Sequence, residues 1–90
     1  MIKADQGRGP GGKKMDSDQL KHEEELVKEA DLLDSAGQFE KAIADYDKAL
    51  QIDPDDADVW FDKGETLKKM GRLAEAEKCF EMATKLYDVE

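Results

Sequence analysis

Two short acidic segments of this sequence carry side chains of the types that bind metals. The first is His22 followed by the three glutamates at 23–25. One imidazole beside flexible, solvated carboxylates has no fixed coordination geometry. The second segment, 53–58, holds four aspartates, but a calcium loop of the EF-hand type needs an acidic or amide residue where Ala57 stands and glycine where Asp58 stands. We therefore predict no metal site and no cofactor.

Nucleophilic catalysis would need a nucleophilic side chain within hydrogen-bond reach of a base. The sequence has one histidine, His22, and one cysteine, Cys79. His22 lies near the glycine-rich N-terminal segment, whereas Cys79 stands beside Phe80 in an apolar helical pattern and is expected to be a small buried residue. A lone cysteine also excludes an intramolecular disulfide and a cysteine-based zinc site. We predict that the protein is not an enzyme.

The charge of the chain is strongly negative and unevenly distributed. The 90 residues carry a formal net charge of −9, and residues 23–90 alone carry −11. Such a surface repels phosphate backbones and attracts basic peptides or basic protein surfaces. No apolar run approaches the roughly 18 residues of a membrane span. We expect a basic protein or peptide partner and neither nucleic acid nor a membrane; cysteine usage and the lack of an apolar signal segment favour the cytoplasm.

The composition divides the chain into a leader at 1–16 and a helical domain at 17–90. The first fourteen residues hold four of the seven glycines and one large aliphatic residue, Ile2. A segment of this composition buries too little apolar area to offset its ordering entropy, so we predict that it is disordered. Met15 is a candidate original start, which would make the leader an added segment; a natural flexible arm is the alternative.

From Ser17 onward, apolar residues recur at the spacing of an α-helix. Residue types that suit a helix N-cap stand at 16–18, and Gly37 and Gly71 suit left-handed helix ends. Pro54 removes an amide donor and ends the preceding helix. No window alternates as a half-buried strand would. The pattern predicts four helices, near 18–36, 38–52, 57–70 and 72–87.

The four helices form two copies of one pair, offset by 34 residues. Small residues at equivalent positions let two helix backbones approach, large residues fill the space beside them, and glycine reverses the chain. A helix–turn–helix period of this length resembles the tetratricopeptide repeat. Repeat 1 spans about 23–56 and repeat 2 about 57–90. The matching residues are Leu26, Ala30, Leu33, Gly37, Phe39, Ala42, Tyr46, Ala49 and Pro54 in the first, and Trp60, Gly64, Leu67, Gly71, Ala76, Phe80 and Ala83 in the second.

The resemblance implies an all-α fold of two tandem helix–turn–helix repeats, a segment of a right-handed superhelical solenoid. It also implies that the first helices line a concave groove that binds a peptide or a partner helix. Val27 and Phe61 would be apolar anchors in a groove that is acidic at one end, so we expect a basic partner with an apolar side chain. The expected groove residues are Glu24, Val27, Asp31, Asp34 and Ser35 from the first repeat, and Asp58, Phe61, Glu65, Lys68 and Lys69 from the second.

Some residues have a structural interpretation beside a functional one. Trp60 is expected to pack between the paired helices, which leaves Phe61 as the better ligand candidate, because one helix cannot point both into the same core. The charge runs at 45–48 and 75–78 predict solvated helix faces. The alternative to a peptide-binding module is a scaffolding segment that self-associates or belongs to a longer protein, since stacked repeats usually need about three copies.

Overall fold

The computed structural model describes residues 16–88 and shows a chain of four helices. These are α1 (Ser17–Ser35), α2 (Phe39–Ile52), α3 (Ala57–Lys69) and α4 (Leu73–Tyr87). No strand occurs within this range, and each helix end lies within one residue of the predicted end. The all-α prediction is therefore confirmed. The leader predicted to be disordered lies outside the described residues, apart from Asp16.

Both turns within the repeats are built in the same way. Gly37 and Gly71 have φ values of 80° and 81°, a left-handed conformation in which a β-carbon would be strained. After α1, the amide of Gln38 donates to the carbonyl oxygen of Leu33 at 2.8 Å, and the equivalent bond 34 residues later measures 2.9 Å. These bonds satisfy carbonyl groups that a helix end leaves free, so the chain reverses with little loss of hydrogen bonding.

Aspartate caps begin the first helix of each repeat. The side chain of Asp16 accepts a hydrogen bond from the amide of Gln19 at 2.9 Å, and the Gln19 side chain accepts one from the amide of Asp16. At α3, Asp56 accepts from the amide of Val59 at 3.4 Å. Because a carboxylate at this position also meets the positive end of the helix dipole, it stabilises the first turn.

Each repeat is an antiparallel helix pair held by a tyrosine–aspartate hydrogen bond. Tyr46 on α2 donates to Asp31 on α1, and the two lie nine and six residues from the turn glycine, Gly37. Tyr87 on α4 donates to Asp58 on α3, and both lie far from theirs. Residues nearer the turn pair with each other, and residues farther from the turn pair with each other, as expected of antiparallel helices.

The core consists of two clusters of small and large apolar residues, one centred on each repeat. Ala42 is 0% exposed in the first cluster, and Trp60 packs against both clusters, as expected of a structural tryptophan. The prediction of a solvated face at 45–48 was wrong at Asp45, which is only 7% exposed. Asp45 lies three residues after Ala42 and therefore shares its buried face. No helix among residues 16–88 combines the length and apolarity needed to cross a bilayer.

Candidate functional site

The first helices of the two repeats face each other across an acidic cleft of about 290 Å³. Two of its lining residues are apolar: Val59 belongs to the first core cluster, and the half-buried Val27 packs against that cluster. Five carboxylates and one cation complete the lining. The residues of the acidic cleft are Glu23, Glu24, Val27 and Lys28 from α1, and Asp56, Asp58, Val59 and Asp62 from α3 and its cap.

Three residues that the sequence placed in the groove line this cleft. Glu24 and Asp58 are exposed and present their carboxylates to solvent, while Val27 contributes apolar surface. Asp58 is not free to rotate, because the hydroxyl of Tyr87 donates to its Oδ1 at 2.5 Å. This hydrogen bond raises the pKa of Tyr87 to about 12. Asp58 is thus held in position by a neighbour in its own repeat.

Two other predicted groove residues are occupied by contacts within the chain. Asp31 accepts a hydrogen bond from the hydroxyl of Tyr46 at 2.5 Å. The pKa of Tyr46 is raised mainly by burial and to a lesser extent by this hydrogen bond. Asp34 accepts from the hydroxyl of Thr66 at 2.9 Å and pairs with Lys69 Nζ at 2.7 Å. The Asp34 contacts connect α1 to α3 and partly neutralise the acidic charge away from the cleft.

The remaining predicted groove residues lie outside the lining of the acidic cleft. Phe61 is 43% exposed, and its ring lies 5.4 Å from the ring of Phe80 on α4, centroid to centroid. Glu65 is half-buried, and Lys68 is exposed at the far end of α3. The accessible apolar surface of the cleft therefore comes mainly from Val27, because Val59 is only 1% exposed. A binding role for Phe61, Glu65 and Lys68 stays a prediction.

Sequence reasoning missed three carboxylates of the cleft, Glu23, Asp56 and Asp62. Glu23 is only 4% exposed. Its pKa is raised to about 8, mainly by burial and to a lesser extent by the nearby Asp56 carboxylate. Asp62 is half-buried. Its pKa is raised to about 6, mainly by burial and to a lesser extent by the charges of neighbouring aspartates. A signal was available for Glu23, because it stands three residues before Leu26 and shares its buried helical face.

The two acidic segments of the sequence, at 22–25 and 53–58, meet in the structure. Glu23 comes from the segment after His22, whereas Asp53 and Asp56 come from the aspartate-rich turn, and one oxygen of each lies within 4.8 Å of the others. His22 is exposed and is not a member of this cluster. Neither segment alone has a coordinating geometry, but the packing of α1 beside the turn creates a three-carboxylate cluster.

Other candidate residues have structural roles. Trp60 donates from its indole nitrogen to the carbonyl oxygen of Pro54 at 2.8 Å, and Lys63 Nζ lies 5.7 Å from the centroid of its ring. Cys79 is buried, and this burial raises the pKa of its thiol. A buried thiol with a raised pKa carries little thiolate and is therefore a weak nucleophile at neutral pH.

The helix pairs and their period define a class of helical repeat protein, and two family models identify it. A model described as TPR repeat matches residues 30–71, and one described as tetratricopeptide repeat matches residues 57–88. An uncharacterized protein of Methanocaldococcus jannaschii is 34% identical over 61 residues, which cover 68% of this chain and 71% of that protein. The chain belongs to the tetratricopeptide repeat family, with two repeats. Such repeats generally mediate protein–protein interactions, and the family is a non-enzymatic interaction module.

Proposed function

We propose that this protein is an interaction module that binds a basic peptide segment in the acidic cleft between α1 and α3. The observation that carries the proposal is the lining of the cleft, in which five carboxylates and a single lysine surround two valines. A lysine or arginine side chain can lay its aliphatic stem on the half-buried Val27 while its charged end meets the carboxylates. This combination selects a basic side chain over an acidic or a purely apolar one.

The distribution of charge along the two helices supports the same partner. Asp34 is paired with Lys69, and Asp31 accepts from Tyr46, so these two carboxylates are already engaged. Asp58 also accepts a hydrogen bond, from Tyr87, but it and Glu24 are exposed in the lining of the cleft, where they can meet an incoming cation. A field of one sign at a concave surface raises the association rate of an oppositely charged partner and makes binding sensitive to salt.

Fluorescence anisotropy with labelled peptides tests this function. The probe is a short peptide with lysine and arginine on both sides of a leucine, and the comparison peptides replace the basic residues by glutamate or the leucine by alanine. We expect saturable binding of the basic peptide, weaker binding at high salt, and none of the acidic peptide. Equal binding of basic and acidic peptides would refute the proposal.

A pair of charge reversals on α1 separates the cleft from the overall charge. Glu24 lines the cleft, whereas Glu29 is exposed on the same helix outside the lining. Both substitutions to lysine change the net charge equally. We expect Glu24→Lys to weaken the basic peptide by about tenfold or more and Glu29→Lys to have a much smaller effect. Equal losses would mean that bulk charge, and not the cleft, attracts the peptide.

A second candidate function, self-association, is favoured by the apolar surface of the second repeat. Phe61, Leu73 and Tyr87 are exposed large side chains on α3 and α4. Large exposed apolar side chains on one repeat offer contacts to another protein surface, including a second copy of the chain or a further repeat. Sedimentation over a wide concentration range distinguishes the two functions: a monomer at all concentrations contradicts self-association, whereas a dimer that Phe61→Glu dissociates supports it.

A further inference from the structure

Three carboxylates from separate parts of the chain meet beside the N-terminus of α3. Glu23 lies on α1, and Asp53 and Asp56 lie in the turn between α2 and α3. One oxygen of each lies within 4.8 Å of the others. This spacing fits a shared ion, because oxygens on opposite sides of a bound Ca²⁺ are about 5 Å apart. We propose that Glu23, Asp53 and Asp56 form a binding site for a hard divalent cation, with Ca²⁺ as the occupant, at the junction of the two repeats.

The environment of Glu23 is the independent observation that points to a ligand. The side chain is 4% exposed, and its Oε2 atom has no hydrogen-bond partner among residues 16–88. None of the ion pairs within the same range includes Glu23. A buried carboxylate oxygen without a partner costs free energy of solvation, and such groups in proteins are usually paired or coordinate a metal. A cation between Glu23 and the two aspartates would give this buried carboxylate a partner of opposite charge.

The two aspartates are already oriented by their own turn. Asp53 Oδ1 accepts from the amide of Asp55 at 3.1 Å, and Asp56 Oδ1 accepts from the amide of Val59 at 3.4 Å. Each carboxylate is thereby oriented through its Oδ1 atom. Hydrogen bonds of this kind to ligating carboxylates hold the ligands in place before the ion arrives.

The ligand types decide which ion fits. All three groups are carboxylates, which suit Ca²⁺, Mg²⁺ or Mn²⁺ better than softer metals such as Zn²⁺. Ca²⁺ accepts about 6–8 oxygens in a flexible arrangement, so water can complete the shell that three carboxylates begin. Glu23 and Asp56 also line the acidic cleft, which gives the ion and its water a path from solvent. Mg²⁺ demands stricter octahedral geometry, and we therefore expect weaker binding of Mg²⁺ than of Ca²⁺.

Binding of the ion would tie α1 to the turn that joins the repeats. Glu23 belongs to the first repeat, and Asp56 caps the first helix of the second. An ion held by both sides restrains the relative position of α1 and α3 and shifts the unfolding equilibrium towards the native state. Glu23 and Asp56 also line the cleft proposed for the peptide, but ion binding does not require a peptide and is measured without one.

Calorimetric titration of the EDTA-treated protein with CaCl₂, together with thermal melts at constant ionic strength, tests the site. We expect one saturable site, and a Tm raised by about 5–10 °C when free Ca²⁺ is tenfold above Kd. NaCl at matched ionic strength should not reproduce this shift. The absence of both saturable heat and a Ca²⁺-specific Tm shift would overturn the proposal.

Matched variants assign the effect to the cluster. Glu23→Gln removes one ligand charge with little change of shape, whereas Glu25→Gln makes the same change at an exposed position of α1. We expect Glu23→Gln to abolish the Tm shift and Glu25→Gln to retain it. If circular dichroism shows that Glu23→Gln does not fold, Asp53→Asn decides in its place. Equal retention, or equal loss, in the cluster variant and in Glu25→Gln contradicts the site.

Discussion

The backbone of Gly64 on α3 lies against the ring of Phe80 on α4. A β-carbon at residue 64 would stand 2.6 Å from Phe80 Cε1, which is closer than two carbon atoms tolerate. The equivalent positions of the first repeat hold Ala30 and Tyr46, both buried. A small residue under an aromatic ring therefore sets the approach of the two helices in each repeat.

Substitution of Gly64 by alanine tests this contact. Alanine favours a helix over glycine by about 1 kcal/mol, but overpacking against Phe80 costs about 1–3 kcal/mol, so we expect no gain or a net loss in stability. In a Phe80→Leu background the clash is relieved, and the same substitution should stabilise by about 1 kcal/mol. Urea unfolding of the four proteins measures the coupling, and a coupling energy near zero would show that the ring yields freely.

Ala42 occupies the other close contact between helices of the first repeat. Its side chain is 0% exposed, whereas Ala44 on the same helix is exposed. We expect Ala42→Leu to destabilise the protein by about 1–3 kcal/mol through overpacking, and Ala44→Leu to change stability by about 0.5 kcal/mol or less. Thermal or urea unfolding measures both. Similar losses of stability in the two variants would contradict a close helix contact at Ala42.

The contacts of Asp34 across the groove should differ in strength. The Thr66 hydroxyl that donates to Asp34 is buried, whereas the Lys69 side chain is about half exposed. We expect Asp34→Ala to cost about 1–2 kcal/mol and Lys69→Met about 0.5 kcal/mol or less, because solvent screens the exposed ion pair. Urea unfolding of both variants checks the order. Similar losses in the two variants would show that the ion pair, which both substitutions remove, dominates.

The raised pKa of Asp62 makes stability depend on pH. Burial, followed by the charge of Asp31, raises this pKa from 3.8 to about 6. Because the folded state holds the proton more tightly than the unfolded chain, the stabilising contribution of the proton is complete below pH 3.8 and is lost as the pH rises through about 6. At neutral pH the ionised group therefore opposes folding.

Asp62→Asn removes this titration. We expect the variant to exceed the wild type in stability by about 1–2 kcal/mol at neutral pH, after allowance for solvent screening, and this difference to shrink as the pH falls from about 6 to about 4. Urea unfolding at several pH values measures the difference. Glu29→Gln, which removes a carboxylate from an exposed position, controls for net charge. A difference that does not change with pH would contradict the assignment to Asp62.

The sequence by itself determined the helices, their turns and their duplication. Caps such as Asp16 and left-handed glycines such as Gly37 act within a few residues of the chain, and helical periodicity assigns Ala42 to a buried face. Such signals are local, so they can be interpreted before the helices are packed. The family itself followed from the same local pattern repeated after 34 residues.

Only the tertiary structure decided which carboxylates meet and which are already engaged. Glu23 joins Asp53 and Asp56, and Asp34 joins Thr66, although the partners are distant in sequence. These pairings depend on how far one helix slides along another and how it rotates, and that register is set by the packing of side chains between helices. The period of a single helix carries no information about it, so the sequence predicted a groove but not the acidic cleft or the carboxylate cluster within it.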